Sequence, residues 1–380
     1  MTVNGAIDGS ADNTGNLTMT YGSTINGAVG ATHSLASINL FNTYGGGSTF
    51  NGTVNTKALT LNSASYSSAT FNDVLTVADA AKFTGSNQNL ILAADANFAN
   101  GISFNGYNST ITLDSAEGDK TFMGTINTVD NSSTGILQIQ GTNTFTLANA
   151  VASSAAQRLY LVQVNDNSKA SFSHDIYSQY FNILNGATAT FGCNVDGAVQ
   201  LRDGTMIVQD GFNVTGTIDN IVTGNGYGVL KLLGTNTVSG AVGSSYALKS
   251  ITTGASGAIA TFSSTVNATT ISSDAGKTVF NGNIFTDLVT GTPNFTADGI
   301  VELASGKTIA GVVSTNTADT GTLTLNGTSK VTGTVGSGKA LKLVTAGQSA
   351  TTSTFDDKVN ATTISVGSGT AAFNGDVTGG

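Results

Sequence analysis

The stretch VNATTIS occurs twice in this 380-residue chain, at residues 266–272 and again at residues 359–365. The copies are 93 residues apart (359 − 266 = 93), and the match extends on both sides without a gap. Upstream, GVLKLLGTNTVSGAVGSSYALK from Gly228 aligns with GTLTLNGTSKVTGTVGSGKALK from Gly321. A match of this length indicates an internal repeat, so the stretch points to an architecture before it points to a site.

Weaker copies of the same unit precede these two. GILQIQGTNTFT begins at Gly135, and GNLTMTYGSTINGAVG begins at Gly15. We therefore predict a single elongated domain over residues 1–380 that is built from four units of about 93 residues. The predicted units are approximately 15–134 with an insertion, 135–227, 228–320, and 321–380 in truncated form.

Short segments inside each unit, such as TFSSTV and TVFNGNIF, alternate apolar and polar residues and end at Gly, Asn or Asp. Alternation with a period of two is typical of strands with one buried face. Phe262 and Phe280 are 18 residues apart, as are Phe355 and Phe373. We predict an all-β parallel β-solenoid, or β-helix, with about 18–19 residues per coil, five coils per unit and about twenty coils in total. An array of two-sheet sandwich domains is the alternative fold.

The composition excludes several kinds of partner. Charged residues make up 10% of the chain, the formal net charge is −9 and the pI is about 4.5. A protein that binds nucleic acid needs basic patches, so no nucleic-acid partner is expected. No run of 18 apolar residues occurs, so we expect no membrane insertion by this segment. Residues 1–10 lack the basic and apolar regions of a signal peptide, and we expect a fragment of a longer chain.

Candidate residues for catalysis are few. β-Helix enzymes that act on polysaccharides cluster carboxylates for acid–base or calcium chemistry, but the chain has only two glutamates, Glu117 and Glu302. We predict that the protein is not an enzyme and uses no cofactor. Asp114, Glu117 and Asp119 in LDSAEGDK could offer oxygens to calcium weakly, although their spacing differs from that of an EF-hand.

One region departs from the repeat pattern and is the candidate contact site. RLYLVQVNDNSKASFSHDIYSQYFNI, at residues 158–183, concentrates aromatic and basic side chains. Tyrosine and arginine are the residue types that dominate binding energy at interfaces. The alternative interpretation is that the aromatic residues fill a wider coil. The predicted contact patch is Arg158, Tyr160, His174, Tyr177 and Tyr180.

The repeat also resembles a known family. GTLTLNGTSKVTGTVGSGKALKLV at residues 321–344 and TTSTFDDKVNATTISVGSGTAAFNGDVTG at residues 351–379 are similar to passenger regions of bacterial autotransporters. The similarity is to the rickettsial outer-membrane-protein B and surface-cell-antigen type, covers about residues 15–380 and is one of repeat style. It implies an extracellular location at the bacterial cell surface, with anchoring in the outer membrane through a part outside this sequence. It transfers no catalytic residues.

The function expected is therefore that of a non-enzymatic, adhesin-like cell-surface β-solenoid. Its expected partners are a surface protein or glycan of a host or neighbouring cell, or copies of itself. The main alternative is a self-assembling extracellular filament or surface-layer structural protein, because the end of a solenoid offers unpaired strand edges. A polysaccharide lyase or hydrolase is the remote alternative.

Overall fold

The computed structural model describes residues 1–41, 46–62, 66–79, 81–105, 108–129, 134–285 and 293–379. It has about 17 turns of parallel β-solenoid and essentially no helix, which confirms the predicted fold class. The chain divides into two compact units, unit 1 with Met1–Gly197 and unit 2 with Ala198–Gly380. The four sequence units of about 93 residues stay a prediction.

The strands are short, and the bounds of those in unit 1 are β1 Thr2–Val3, β2 Asn16–Met19, β3 Thr24–Ile25, β4 Leu35–Leu40, β5 Gly47–Phe50, β6 Val54–Leu61, β7 Ser67–Phe71, β8 Leu75–Val77, β9 Ala81–Phe83, β10 Gln88–Leu92, β11 Ala96–Phe98, β12 Ile102–Phe104, β13 Thr110–Asp114, β14 Lys120–Met123, β15 Ile126–Thr128, β16 Ile136–Gln140, β17 Thr144–Leu147, a 3-10 turn Ala155–Gln157, β18 Leu159–Val164, β19 Lys169–Phe172, β20 Ile176–Ile183 and β21 Thr188–Phe191. Strand β22, Val195–Leu201, includes the boundary between the units.

The strands of unit 2 are β23 Thr205–Val208, β24 Val214–Thr215, β25 Ile218–Asn220, β26 Tyr227–Leu232, β27 Asn236–Val238, β28 Leu248–Thr253, β29 Ile259–Phe262, β30 Val266–Ser273, β31 Lys277–Phe280, β32 Ile284–Phe285, β33 Pro293–Phe295, β34 Ile300–Leu303, β35 Thr308–Ala310, β36 Ser314–Thr315, β37 Thr320–Leu325, β38 Lys330–Val331, β39 Leu341–Ala346, β40 Thr352–Phe355, β41 Val359–Val366, β42 Thr370–Phe373 and β43 Val377–Gly379.

Side-chain alternation explains both the strands and the corners between them. In β30, Val266, Ala268, Ile271 and Ser273 are buried and the residues between them are partly exposed. Two partly exposed residues follow each other in the middle of this strand, so the chain bends there. As a result the first part of β30 pairs with β32 and the second part with β33. One eight-residue strand thus contributes to two sides of the coil.

Buried side chains of unit 1 stack in three parallel rows, and each turn contributes to all three. The rows are the Phe71 row, with Val3, Ile25, Phe50, Phe71, Leu92, Leu113, Ile139, Val164 and Ile183; the Val54 row, with Ile7, Val29, Val54, Leu75 and Ala96; and the Phe83 row, with Met19, Leu40, Leu61, Phe83 and Phe104. A single turn cannot bury its apolar side chains, and stacking on the next turn does so.

Phenylalanine rings reinforce these rows in unit 1. Phe50 and Phe71 stack with ring centroids 4.6 Å apart, and Phe83 and Phe104 with centroids 4.8 Å apart. All four rings are fully buried. Each buried ring contributes about 1.5–3 kcal/mol through the hydrophobic effect, so the rows are the main source of stability.

Unit 2 also has three rows. They are the Phe262 row, with Val238, Phe262, Phe280, Leu303 and Leu325; the Val266 row, with Val242, Val266, Ile284, Ile309, Val331, Phe355 and Phe373; and the Ile271 row. The Ile271 row holds three runs of paired residues on the third side of the coil: Ile251 and Ile271; Ser273, Phe295 and Thr315; and Val313, Val335, Val359 and Val377. The predicted stacking of phenylalanine on phenylalanine is confirmed, since Phe262 stacks on Phe280 and Phe355 on Phe373.

Equivalent residues of the two clearest repeat copies lie in different rows. Phe262 belongs to the row that bears its name, whereas Phe355, 93 residues later, belongs to the Val266 row. In the same way Val359, the equivalent of Val266, belongs to the Ile271 row. A repeat of 93 residues therefore covers four full turns and about one third of a fifth.

The predicted coil of 18–19 residues holds for some turns and is too short for others. Phe262 and Phe280 pair across 18 residues, but Thr110 and Ile136 pair across 26. Strand segments keep their register, while the connections at the corners vary in length. The chain consequently has about 17 turns instead of about twenty, and the division of each unit into five equal coils is wrong.

Candidate functional site

The predicted contact patch lies on two neighbouring parallel strands of unit 1. Strands β18 and β20 pair so that Leu161 stands opposite Tyr180. Tyr160, which precedes Leu161, is 45% exposed, so its ring points away from the core. The buried positions of the same turns are taken by other side chains, among them Phe172, Phe181 and Phe191.

Two tyrosines of the patch form an aromatic pair. The rings of Tyr160 and Tyr180 are 5.7 Å apart between centroids and meet edge to face. This arrangement is favourable for aromatic rings and holds both side chains in a defined orientation. Tyr160 is exposed, so its ring does not fill the interior of a wider coil. The pair presents two rings to a ligand on the outer surface.

Arg158 stands beside this pair and is held by two contacts. It follows the 3-10 turn, and its Nε donates a hydrogen bond to the Ala155 carbonyl at 3.0 Å. Its Nη2 lies 3.5 Å from Asp196 Oδ1, and both side chains are about 30% exposed. Because Leu159 pairs with Ser178, the residues just before them, Arg158 and Tyr177, are neighbours on adjacent turns. Tyr160 and Tyr180 are therefore in contact, and Arg158 and Tyr177 lie next to each other on the stretch that leads into this pair.

His174 is placed elsewhere. It is exposed in the connection between β19 and β20, two residues before β20 begins, whereas Tyr180 is the fifth residue of that strand. The next residue, Asp175, accepts a hydrogen bond from the Asn194 backbone N–H at 2.9 Å and so ties this connection to the following turn. Sequence proximity placed His174 in the patch, but the bend within β20 turns the chain before the tyrosine pair begins.

Asp114 and Glu117, two of the possible calcium ligands, line one open cavity, and the hydrogen bonds of Asp114 and Asp119 are made to other turns. Asp114 accepts hydrogen bonds from the Ala116 backbone N–H and from Gln140 Nε2, at 2.9 and 2.8 Å. Asp119 accepts one from the Thr144 backbone N–H at 2.8 Å. Each carboxylate thus fastens one turn to the next. Over the described ranges, no group of three His, Cys, Asp or Glu residues has a geometry that could hold a metal ion.

The surroundings of Cys193 and Glu302 shift the pKa of each side chain. Burial raises the pKa of the Cys193 thiol, and the nearby Asp175 carboxylate raises it further, so the sulfur stays protonated at neutral pH. Partial burial by itself would raise the pKa of Glu302, but hydrogen bonds from Lys277 and Asn326 outweigh it and lower that pKa. Glu302 therefore stays ionised and links three consecutive turns.

Sequence reasoning missed two exposed aromatic residues of unit 1. Tyr21 is 61% exposed and Tyr66 is 77% exposed, each in a connection that leads into the Phe71 row. Tyr160 and Tyr180 occupy the corresponding places in later turns. The signal in the sequence was a tyrosine a few residues ahead of the apolar residue that ends the strand, but it repeats irregularly.

Fold and surface together define the chain as a β-solenoid repeat protein. Comparison with known proteins adds no closer identity: no family model, no curated protein and no solved structure matches the chain. In the part of the chain that is described, no helix is long and apolar enough to span a bilayer.

Proposed function

We propose that the chain is a non-enzymatic β-solenoid of the bacterial cell surface, an adhesin-like segment of an autotransporter passenger. The observation that supports this best is the outward-facing pair Tyr160 and Tyr180 with Arg158 beside it, on strands held rigid by parallel pairing. Aromatic and arginine side chains in a fixed frame lose little entropy on binding, which is what a contact site needs. The proposed location is extracellular, with anchoring in the outer membrane through another segment.

The polar character of the surface supports the same proposal. Charged residues are only 10% of the chain, and Thr, Ser, Asn and Gly dominate the outer positions. Such a surface stays hydrated without strong attraction to nucleic acid or anionic lipid. The proposed partner is a surface protein or glycan of a host or neighbouring cell.

Adhesion can be tested with the chain displayed on beads. Beads coated with the wild-type chain should bind cultured epithelial cells, and the Tyr160→Ala/Tyr180→Ala variant should bind at least several-fold fewer. Tyr227→Ala is the matched control, because Tyr227 is 39% exposed and belongs to unit 2, whereas all residues of the patch belong to unit 1. Equal binding by wild-type, double-variant and uncoated beads would remove the proposal.

Self-assembly is the second candidate, and an apolar cavity favours it. Met1, Val3, Ile7, Met19 and Ile25 line an open cavity of about 440 Å³ at the first turn. A further coil stacked there would cover these side chains, and a second copy could supply it. Electron microscopy of the purified chain distinguishes the two functions: fibres or sheets indicate assembly, and separate particles favour the adhesin.

Depolymerisation of an acidic polysaccharide by the chain would instead support the enzyme alternative.

A further inference from the structure

Four tyrosines of unit 1 lie along one corner of the coil, which we call the Tyr edge. They are Tyr21, Tyr66, Tyr160 and Tyr180. Each precedes by three to five residues a member of the Phe71 row, namely Ile25, Phe71, Val164 and Ile183. Since the members of that row pair turn by turn, the four tyrosines lie ahead of the same side of the coil, in the turns of β3, β7, β18 and β20, although they are not register partners of one another.

The Tyr edge is long compared with the patch predicted from the sequence. Seven steps of the Phe71 row separate Ile25 from Ile183. With about 4.8 Å between neighbouring strands, the edge extends over about 34 Å. Tyr160 and Tyr180 occupy adjacent turns at one end, and Tyr21 and Tyr66 are two turns apart at the other. A ligand that contacts both ends must be extended.

A polar face adjoins the Tyr edge. One position of the Phe71-row strands pairs in register along unit 1 and is polar at every turn except that of Ile91: Thr24, Thr49, Thr70, Ile91, Thr112, Gln138 and Gln163. Thr112 is buried, and the other members are at least partly exposed. Beyond them Asn72 donates a hydrogen bond to Asn51, and Asn51 donates one to Asn26, each at 2.7 Å. The face therefore offers two groups of uncharged donors and acceptors: the threonines and asparagines on the side of Tyr21 and Tyr66, and the glutamines on the side of Tyr160 and Tyr180.

Charge is absent from most of this corner. Residues 20–23, 41–46, 62–66, 84–87 and 105–109, which precede successive strands of the Phe71 row, contain no Asp, Glu, Lys, Arg or His in the sequence. The charge of Arg158 is offset by Asp196. The connection at residues 129–135, which precedes the next strand of the row, contains one charged residue, Asp130. A highly charged polysaccharide or peptide thus has few opposite charges to pair with at this corner, and an uncharged partner needs none.

We propose that the Tyr edge and its polar face bind an extended, uncharged glycan. The C–H face of a sugar ring packs on a tyrosine ring, and sugar hydroxyls exchange hydrogen bonds with threonine hydroxyls and glutamine amides. The inference rests on the proposed adhesin function and names its ligand class.

A protein partner fits the same surface less well. The core of a protein interface is a continuous apolar area, about 65% non-polar in homodimers. On the Tyr edge the rings are separated by Gly, Ser and Asn. Val129 adds an exposed aliphatic side chain to these connections, whereas Val74 lies in another connection and Met123 ends β14. The tyrosines are thus separate aromatic side chains on an otherwise polar surface.

Binding of neutral hexasaccharides tests the inference directly. The probes are cellohexaose, mannohexaose and chitohexaose, with polygalacturonate as the acidic control, measured by calorimetry on the intact chain. We expect at least one neutral probe to bind and its affinity to fall ten-fold or more in Tyr66→Ala/Tyr160→Ala. Tyr227→Ala should bind like the wild type, and all variants should keep the wild-type thermal midpoint because the altered rings are exposed. No binding of any neutral probe, preference for polygalacturonate, or unchanged affinity in the double variant would overturn it.

Cell-binding beads separate this inference from the function on which it rests. If beads bind cells through the Tyr edge but no neutral probe binds, the adhesin function stands and the glycan inference fails. If a neutral probe binds through the Tyr edge but beads do not bind cells, the glycan inference stands and the adhesin function fails.

Discussion

In residues 266–272, Val266 packs between Val242 and Ile284, whereas in residues 359–365 the equivalent Val359 packs between Val335 and Val377. The isoleucines of the two copies differ more. Ile271 is fully buried and pairs with Ile251, while Ile364 is partly exposed and pairs with Val344. The same seven residues thus lie in different rows. Their burial differs because Ile271 also pairs with Pro293 on the next turn, whereas β41 pairs with β43 only at residues 359–361. Because the sequences are identical, both copies form a strand that bends in the middle. The neighbouring turns determine how deeply each side chain of the copy is buried.

The largest expected difference in unfolding free energy is between substitutions of two equivalent phenylalanines, Phe280 and Phe373. Phe280 is fully buried, stacks on Phe262 at 5.2 Å and pairs with Leu303 on the next turn. Phe280→Ala should lower the free energy of unfolding by about 3–5 kcal/mol, because it leaves a cavity between two turns. Phe373 is only partly buried, so Phe373→Ala should cost less than half as much. Urea denaturation and hydrogen exchange of the flanking strands measure both, and equal losses would contradict distinct environments.

The isoleucines of VNATTIS provide the next largest effect. Ile271→Ala should cost about 2–5 kcal/mol, as is usual for a buried isoleucine. Ile364→Ala should cost about 1 kcal/mol, because less area is removed from water. The same denaturation experiment applies, with Thr269→Ala as the control since Thr269 lies at the bend of β30. A cost for Ile364→Ala as large as that for Ile271→Ala would mean that burial does not distinguish the copies.

Two equivalent glycines should be equally sensitive to substitution, in contrast to the phenylalanines and isoleucines. Gly243 and its equivalent Gly336 have φ of 66° and 70°. A Cβ at these positions would lie 2.1 Å from the Asn267 carbonyl oxygen and 2.0 Å from that of Asn360, within the two VNATTIS copies. Gly243→Ala and Gly336→Ala should each cost roughly 1–3 kcal/mol through backbone strain. Thermal midpoints of both variants check this, and a tolerated alanine at either site would show that the backbone contact is not shared.

The smallest effect concerns two equivalent lysines. Lys342 lies 2.5 Å from Asp298, whereas Lys249 lies 4.0 Å from Asp203. Replacing Lys342 by Met should lower the thermal midpoint slightly, and replacing Lys249 should leave it unchanged, because exposed ion pairs contribute little. Raising the salt concentration should remove the difference.

The Lys342–Asp298 pair also has a defined pH dependence. The hydrogen bond from Lys342 lowers the pKa of Asp298, and the same bond raises the pKa of Lys342. The pair therefore stabilises the fold above the unfolded Asp pKa of about 3.9 and below the unfolded Lys pKa of about 10.4. Its contribution is lost as pH falls through the lowered pKa or rises through the raised one. The midpoint difference between wild type and Asp298→Asn should be constant from about pH 5 to 9 and disappear in acid. A difference that persists in acid would assign the stabilisation to another contact.

The sequence predicted the fold more completely than the site. Alternation in β30 and the 18-residue interval from Phe262 to Phe280 were sufficient to predict parallel strands and ring stacking. The patch was found from a break in the repeat, which located Tyr160 and Tyr180. The predicted patch also included His174, which lies in the connection before β20, and it did not include Tyr21 and Tyr66, because contacts across a corner depend on how many residues each turn contains.

The sequence by itself determined that this chain is a parallel β-solenoid, because strand alternation, turn residues and duplicated segments are local properties. Only the tertiary structure decided which row each residue joins. Turns range from 18 residues between Phe262 and Phe280 to 26 between Thr110 and Ile136. Since the corners absorb different numbers of residues, a constant sequence period of 93 does not return to the same side of the coil. For that reason the second VNATTIS begins one row further on than the first.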